Sequence, residues 1–215
     1  MSFCHFYIAV WGEFNLKTSL IHRIAVLWTS KLNYYTKRED VELQKMTLGM
    51  EIMLHNIPKI ILLTTVSYVI GILHLTFIIW IPFAVMRMYA SGLHAKNSIT
   101  CTLMSLTMFV LVPFTVQEMQ ISKLTLFIIA FVTCLGFYKY APADTEARPI
   151  IGKNKRAKLK KQAMLSSLAI FAASFFLYNE FNLLVAISYV YTLVAILPLS
   201  YKLMRRRGNN YEKYE

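Results

Sequence analysis

A histidine and a cysteine seven residues apart, His94 and Cys101, lie in the segment RMYASGLHAKNSITC that runs from Arg87 to Cys101. Such a pair is the minimum for thiol nucleophilic catalysis. An unassisted thiol ionises near pH ~8.5, so little of it is thiolate at neutral pH. A nearby imidazole can take the proton and later deliver it to a leaving amine. The same spacing also suits a structural histidine beside a buried cysteine. On one unbroken helix seven residues rise about 10.5 Å, although the two side chains share a face. Nucleophile and base must meet within about 3–4 Å. Catalysis by this pair therefore requires a break in the helix between them. The polar run Ala95-Lys96-Asn97-Ser98 can supply it, and Gly92 permits a tight backbone approach.

Few other ionisable residues lie near apolar runs, and each is a functional candidate because charge at membrane depth is expensive. Glu51, His55 and Lys59 stand at the mouth of the first long apolar run, His74 at its far end, and Arg87 at the close of the second. Ser98 and Ser105 are alternative nucleophiles with no better-placed base. Cys134 has no ionisable neighbour in sequence and reads as a small packing residue. Cys4 has no nameable partner, and His5, His22, His55 and His74 show no metal-ligand spacing. Neither a metal nor any other cofactor is expected.

The elements that must position these residues follow from composition. Of 215 residues 57% are apolar and only 16% charged, with 14 Phe, 13 Tyr and 11 Met. An ordinary soluble domain carries about 25% charge. This excludes a disordered chain and argues against a soluble enzyme, and three cysteines are too few for a disulfide scaffold. The remaining class is an all-α polytopic membrane protein. Six candidate spans stand out: Ile52–His74, Leu75–Tyr89, Ile99–Val116, Leu124–Tyr140, Leu165–Tyr178 and Leu183–Tyr201. The second and fifth are short for a bilayer core of about 20 residues per helix and are tilted or re-entrant candidates.

Charge segregation sets the orientation. Twenty-three Lys and Arg against 11 Asp and Glu give a net charge of +12. The basic residues gather before the first span, between Arg148 and Lys161, and in the tail from Lys202 to Arg207. The connections at residues 117–123 and 179–182 are nearly free of them. With six spans all basic blocks fall on one side, which puts both termini and the Arg87–Lys96 connection in the cytoplasm. Membrane orientation explains the charge, so nucleic acid is not an expected partner. The N-terminus has neither a signal-peptide pattern nor a myristoylation site.

Residues 1–47 are too polar to span, but Leu20, Ile21, Ile24, Leu27, Trp28 and Leu32 recur at helical spacing among Lys17, Arg23 and Lys31. That suits an amphipathic helix lying on the membrane or packed on the rest of the chain. Asp40 is a candidate cap for the helix entering the first span. The expected organisation is an interfacial segment over 1–47, a helical membrane domain over 48–201 and a basic tail over 202–215. Pro142 and Pro149 bracket a loop expected to be extended.

The arrangement Arg87…Gly92-Leu93-His94-Ala95…Cys101 resembles the AgrB family, the accessory gene regulator B proteins of Gram-positive bacteria. Leu48-Gly49-Met50-Glu51…Asn56-Ile57 is similar to that family's entry into its first span. Tyr140-Ala141-Pro142-Ala143-Asp144-Thr145 with Arg148-Pro149 is similar to its loop before the basic cluster. The resemblance covers about residues 40–200. It implies a membrane cysteine endopeptidase that cleaves the AgrD precursor peptide, with Cys101 as nucleophile and His94 as base and acid. It implies that Arg87 and Gly92 are needed for activity. Glu51 then becomes a candidate third residue that orients His94; an interfacial carboxylate facing Lys59 or the basic loop is the other reading. The family's product is a cyclic quorum-sensing thiolactone or lactone, closed through a thioester on the enzyme. Lys158, Lys160 and Lys161 contact anionic lipid or dock the precursor's acidic tail. A homodimer is implied by the family alone. The rival readings are a small transporter or peptide exporter without hydrolytic chemistry, and a non-catalytic membrane adaptor.

Overall fold

Long apolar runs without helix breakers satisfy their backbone groups internally, and the chain is accordingly helical. A computed structural model describes residues 20–93, 98–145, 150–208 and 210–213. Cys4 and His5, His94 with residues 95–97, and Arg148 and Pro149 lie outside the described residues. The helices are α1 (Leu20–Thr36), α2 (Asp40–Ile70), α3 (Leu73–Ala90), α4 (Ser98–Leu106), α5 (Val112–Val116), α6 (Lys123–Tyr140), α7 (Lys153–Ser174), α8 (Asn182–Ile196) and α9 (Pro198–Leu203). Five runs are long and apolar enough to cross a membrane: Glu42–Ile70, Leu73–Ala90, Ile99–Val116, Lys123–Tyr140 and Asn179–Ile196. The protein is an all-α polytopic membrane protein.

Three expected boundaries are corrected. The first span ends at Ile70, not His74. Gly71 at φ +83° turns the chain, with Ile72 N–H donating to Ser67 O at 3.0 Å and Gly71 N–H to Tyr68 O at 3.0 Å. This pair of bonds is a Schellman stop, which glycine accommodates. His74 therefore opens the next helix. The stretch Leu165–Tyr178 is not a helix of its own. Its apolar residues up to Ser174 are the second half of α7, whose first half carries Lys153, Lys155, Arg156, Lys158, Lys160 and Lys161. That helix is too basic to count among the five. The last span stops at Ile196 rather than Tyr201, because Pro198 holds Leu197 extended (ψ 136°) and starts α9.

The chain forms two compact units, Met1–Thr65 and Val66–Glu215. In the first, α1 covers the residues whose spacing indicates a helix, but it buries Ala25 and Thr29 and leaves Leu20, Leu27, Trp28 and Leu32 of the periodic set exposed. In the second, α8 packs on α3 and α6, and α7 packs on the same two helices. Small residues at the contacts (Ala90, Ala130, Ala163, Ala186) let the backbones approach, and Met86, Phe137 and Tyr189 fill the remaining space. Tyr189 Oη donates to Ser167 O at 2.5 Å, which satisfies the only polar atom of that buried side chain. The outward faces stay apolar, with Phe127, Phe131 and Leu135 of α6 exposed as lipid would require.

The helix that carries Cys101 widens into a π-turn at Thr107–Leu111. Pro113 explains it: proline has no N–H to give the carbonyl four residues back, and its ring crowds that carbonyl. That carbonyl belongs to Phe109, and the buried Thr76 hydroxyl of α3 donates to it at 2.8 Å. Thr76 Oγ1 also lies 2.9 Å from Ser67 Oγ. We predict that Thr76→Val, by stranding a buried carbonyl, lowers stability by about 1–3 kcal/mol. In a Pro113→Ala background, where a backbone N–H is restored, the same change costs less than half as much. Thermal unfolding of the four proteins in micelles measures that coupling.

Candidate active site

The C-terminal ends of α3, α6 and α8 meet at one place, and the last carbonyls of a helix lack partners of their own. Arg87, in the last turn of α3, holds the chain just beyond its own helix. Its Nη1 donates to Ser91 O and its Nη2 to Leu93 O. Its guanidinium also lies 5.9 Å from the centre of the Phe83 ring. The planar fork of arginine suits two carbonyls in a way an ammonium cannot. Helix C-termini carry partial negative charge, which favours a cation there.

Arg87 thereby folds the chain back on itself just after α3. Ser91 (φ 56°) and Gly92 (φ 110°) both take left-handed conformations. Gly92 N–H donates to Ala143 O at 2.7 Å, and Ala143 N–H donates to Ala90 O at 3.0 Å. Leu93 N–H donates to Ala195 O at 2.9 Å. Ala195 O is open because α8 stops one residue later, at Ile196. A Cβ at position 92 would collide with Arg87 Nη1 and lie 2.6 Å from Ala195 O. Glycine is therefore required twice, by conformation and by space.

Cys101 stands in the first turn of α4, is half-buried and carries a free thiol. Its carbonyl accepts from Ser105 Oγ at 2.9 Å, which occupies the hydroxyl considered as an alternative nucleophile. Arg87 lies within electrostatic range of Cys101 and of Tyr201. One guanidinium thus acts on the cysteine electrostatically and holds the residue before His94. The helix carrying Cys101 starts at Ser98, and the chain over Ser91–Leu93 is not helical; His94 itself falls outside the described residues.

Behind this loop, Tyr201 Oη donates to Asp144 O at 2.8 Å. Burial pushes the Tyr201 phenol up to about 12; Arg87 opposes the shift and Asp144 adds to it. The phenol is a neutral donor at physiological pH. The Asp144 carboxylate accepts from Asn210 N–H and Tyr211 N–H at 3.1 and 3.0 Å.

The other expected residues are placed as follows. Glu51, 6% exposed on α2, is hydrogen-bonded to His22 Nδ1 on α1 within the first unit. Lys158 and Lys161 are exposed on α7, and Lys160 Nζ lies 5.0 Å from the centre of the Tyr138 ring. Cys134 is partly buried in α6. Among the described residues no three His, Cys, Asp or Glu side chains gather as a metal site would need. The sequence reading missed His22 as the partner of Glu51, and it missed Ala195, Tyr201 and the backbone of residues 210–211. No local pattern signals them, because each acts across a long stretch of chain, 29 residues for His22 and 66 for Asn210.

The fold and site define a polytopic helical membrane protein with a half-buried cysteine beside an arginine-pinned loop. The Accessory gene regulator B family matches residues 21–198, and the chain belongs to that family. It is 38% identical over 200 residues to a putative AgrB-like protein of Clostridium acetobutylicum, covering 93% of this chain and 96% of that one. A putative AgrB-like protein of Listeria innocua is 36% identical over 206 residues, 95% of this chain and all of its own length. The accessory gene regulator protein B of Staphylococcus aureus is 28% identical over 171 residues, 78% of this chain and 91% of that one. No solved structure matches the chain. Family membership makes the protein a component of accessory gene regulation.

Two glycines give a matched test. Gly92→Ala forces an L-residue into a left-handed conformation and a clash, a cost of about 1–3 kcal/mol from the backbone alone. Gly49 lies inside α2, and a methyl group there would have nothing within 4 Å. Gly49→Ala is expected to stabilise by about 0.5–1 kcal/mol through helix propensity. Unfolding midpoints in micelles should move in opposite directions for the two variants.

Proposed function

We propose that the protein is a membrane cysteine endopeptidase that matures a quorum-sensing peptide of the AgrD type. Family membership over residues 21–198, with His94 and Cys101 at the spacing of the motif it resembles, carries the reading. Arg87 supports it by joining the loop that leads to His94 with the surroundings of Cys101.

In this mechanism His94 takes the proton of the Cys101 thiol, and Sγ attacks the carbonyl carbon of the scissile peptide bond. The carbonyl oxygen takes up the negative charge. The backbone amides of residues 98–100, at the start of α4, are the donors on hand for it, since first-turn amides lack helical acceptors. Collapse of the intermediate breaks the C–N bond, and His94 returns the proton to the departing amine. The peptide's C-terminal segment leaves and its N-terminal part remains as a thioester on Cys101. A thiol or hydroxyl within the same peptide then attacks the thioester. Its proton passes to His94, the Cys101 thiolate departs, and a thiolactone or lactone ring closes. Holding the internal nucleophile near the thioester supplies most of the rate, provided water is kept away.

Lys158, Lys160 and Lys161 would receive an acidic leaving segment, and anionic lipid would meet the same basic face. Glu51, held by His22, is the candidate for orienting His94. With the apolar half of α7 as a sixth crossing beside the five apolar runs, the basic blocks put both termini and the site on the cytoplasmic side of a Gram-positive cell membrane. A second copy of the chain completes the family-type assembly.

Intact mass spectrometry tests this on protein in lipid nanodiscs mixed with a precursor peptide. Wild type should gain a peptide-sized adduct that hydroxylamine removes, and release the C-terminal segment. Cys101→Ala should do neither, with cleavage reduced by at least about 10³-fold as expected for loss of a nucleophile. Transport or binding of peptides without an adduct or a released segment would sink the peptidase reading in favour of an exporter or adaptor.

A further inference from the structure

We propose that residues 210–213 are a strap that positions the active-site loop, with Asp144 as the positioning residue through which it acts. The proposal rests on the endopeptidase reading for its catalytic consequence and on hydrogen-bond geometry for the strap itself.

Asp144 is only 3% exposed. A carboxylate at such a place is tolerable only when donors meet its oxygens. Here both oxygens are met by backbone N–H groups of one short segment, Asn210 on Oδ1 and Tyr211 on Oδ2. Asn210 Nδ2 donates to Arg207 O at 2.7 Å, which ties Asn210 to the backbone of the tail. The Tyr211 ring lies against the Arg156 guanidinium, 3.9 Å from its centre, which fixes the segment on α7.

From Asp144 the connection to the site is short. The adjacent residue, Ala143, donates to Ala90 O and accepts from Gly92 N–H. Leu93 follows, held by Arg87 and Ala195, and His94 is next in the chain. The loop is therefore gripped on one side by the end of α3 and on the other by residues 210 and 211. The segment is also packed, for Asn210 is buried and Tyr211 lies on Arg156. A cleft of about 540 Å³ beside it is lined in part by Tyr140, Asp144, Tyr201 and Tyr211. Loss of the strap takes both backbone donors from the carboxylate.

The test uses the full chain in nanodiscs, a chain ending at Arg207, Asp144→Asn, and the two changes combined. Asparagine keeps the shape but offers one acceptor oxygen in place of two. Amide hydrogen exchange at Gly92 and Leu93 should accelerate about tenfold or more in either single variant, and no further in the combination. A synthetic peptide of residues 208–215 added to the shortened chain should restore slow exchange. With the precursor peptide, kcat should fall about tenfold while KM stays within about twofold, because the base and not the binding face is misplaced. Unchanged exchange in both single variants would overturn the strap, as would additive effects in the combination or faster cleavage by the shortened chain. Should the shortened chain fail to fold, Asp144→Asn decides alone. A wild type that cleaves no peptide defeats the endopeptidase reading, whereas the exchange result judges the strap independently of it.

Discussion

The guanidinium of Arg87 is the constraint on which the site depends. Three helices end near it, and their negative C-terminal ends suit its charge. Arg87 takes up the carbonyls of Ser91 and Leu93, which lie just beyond the end of α3. Once those carbonyls are turned inward, the amides of Gly92 and Leu93 point the other way, to Ala143 and Ala195. The reversed loop, the contact with the 141–145 segment and the contact with α8 are all consequences of that choice. The missing side chain of Gly92 is a further consequence, because the arginine occupies the space.

This arrangement reconciles a membrane fold with polar chemistry. The helix contacts of the second unit join alanines, a few large residues and small hydroxyl side chains such as Thr133, Ser167, Ser188 and Thr192. Polar work is displaced to the helix ends, where backbone groups are already in need of partners. The five apolar runs face outward with large side chains such as Ile61, Phe127 and Phe131. The polar contacts made by Arg87 thus gather at the shared ends of α3, α6 and α8.

Much of this was legible in the sequence, and the failures have physical reasons. Apolar run length located the helices of the membrane domain, and helical spacing located α1. The boundaries at Gly71 and Pro198 were misread because a continuous apolar run outweighed a single breaker, though both residues announced themselves. The basic first half of α7 turned an apparent span into part of a longer helix. At the site, residue type and spacing selected Cys101, and the motif around it brought in Arg87 and Gly92. The His22–Glu51 pair and the Asp144 anchor were invisible for different reasons. The first joins side chains 29 residues apart on two helices. The second uses backbone amides, which leave no signature in residue type at all.

The π-turn at Thr107–Leu111 has a consequence for which side of its helix the cysteine presents. An α-helix advances about 100° per residue, so one extra residue in a turn rotates everything before it by about that angle relative to everything after it. Cys101 lies before the turn, and Val112–Val116 lies after it. Were the helix regular throughout, the segment fixed by Thr76 and the segment bearing the thiol could not both keep their present facings. A proline twelve residues downstream, by removing one N–H, thus sets the compass bearing of the cysteine.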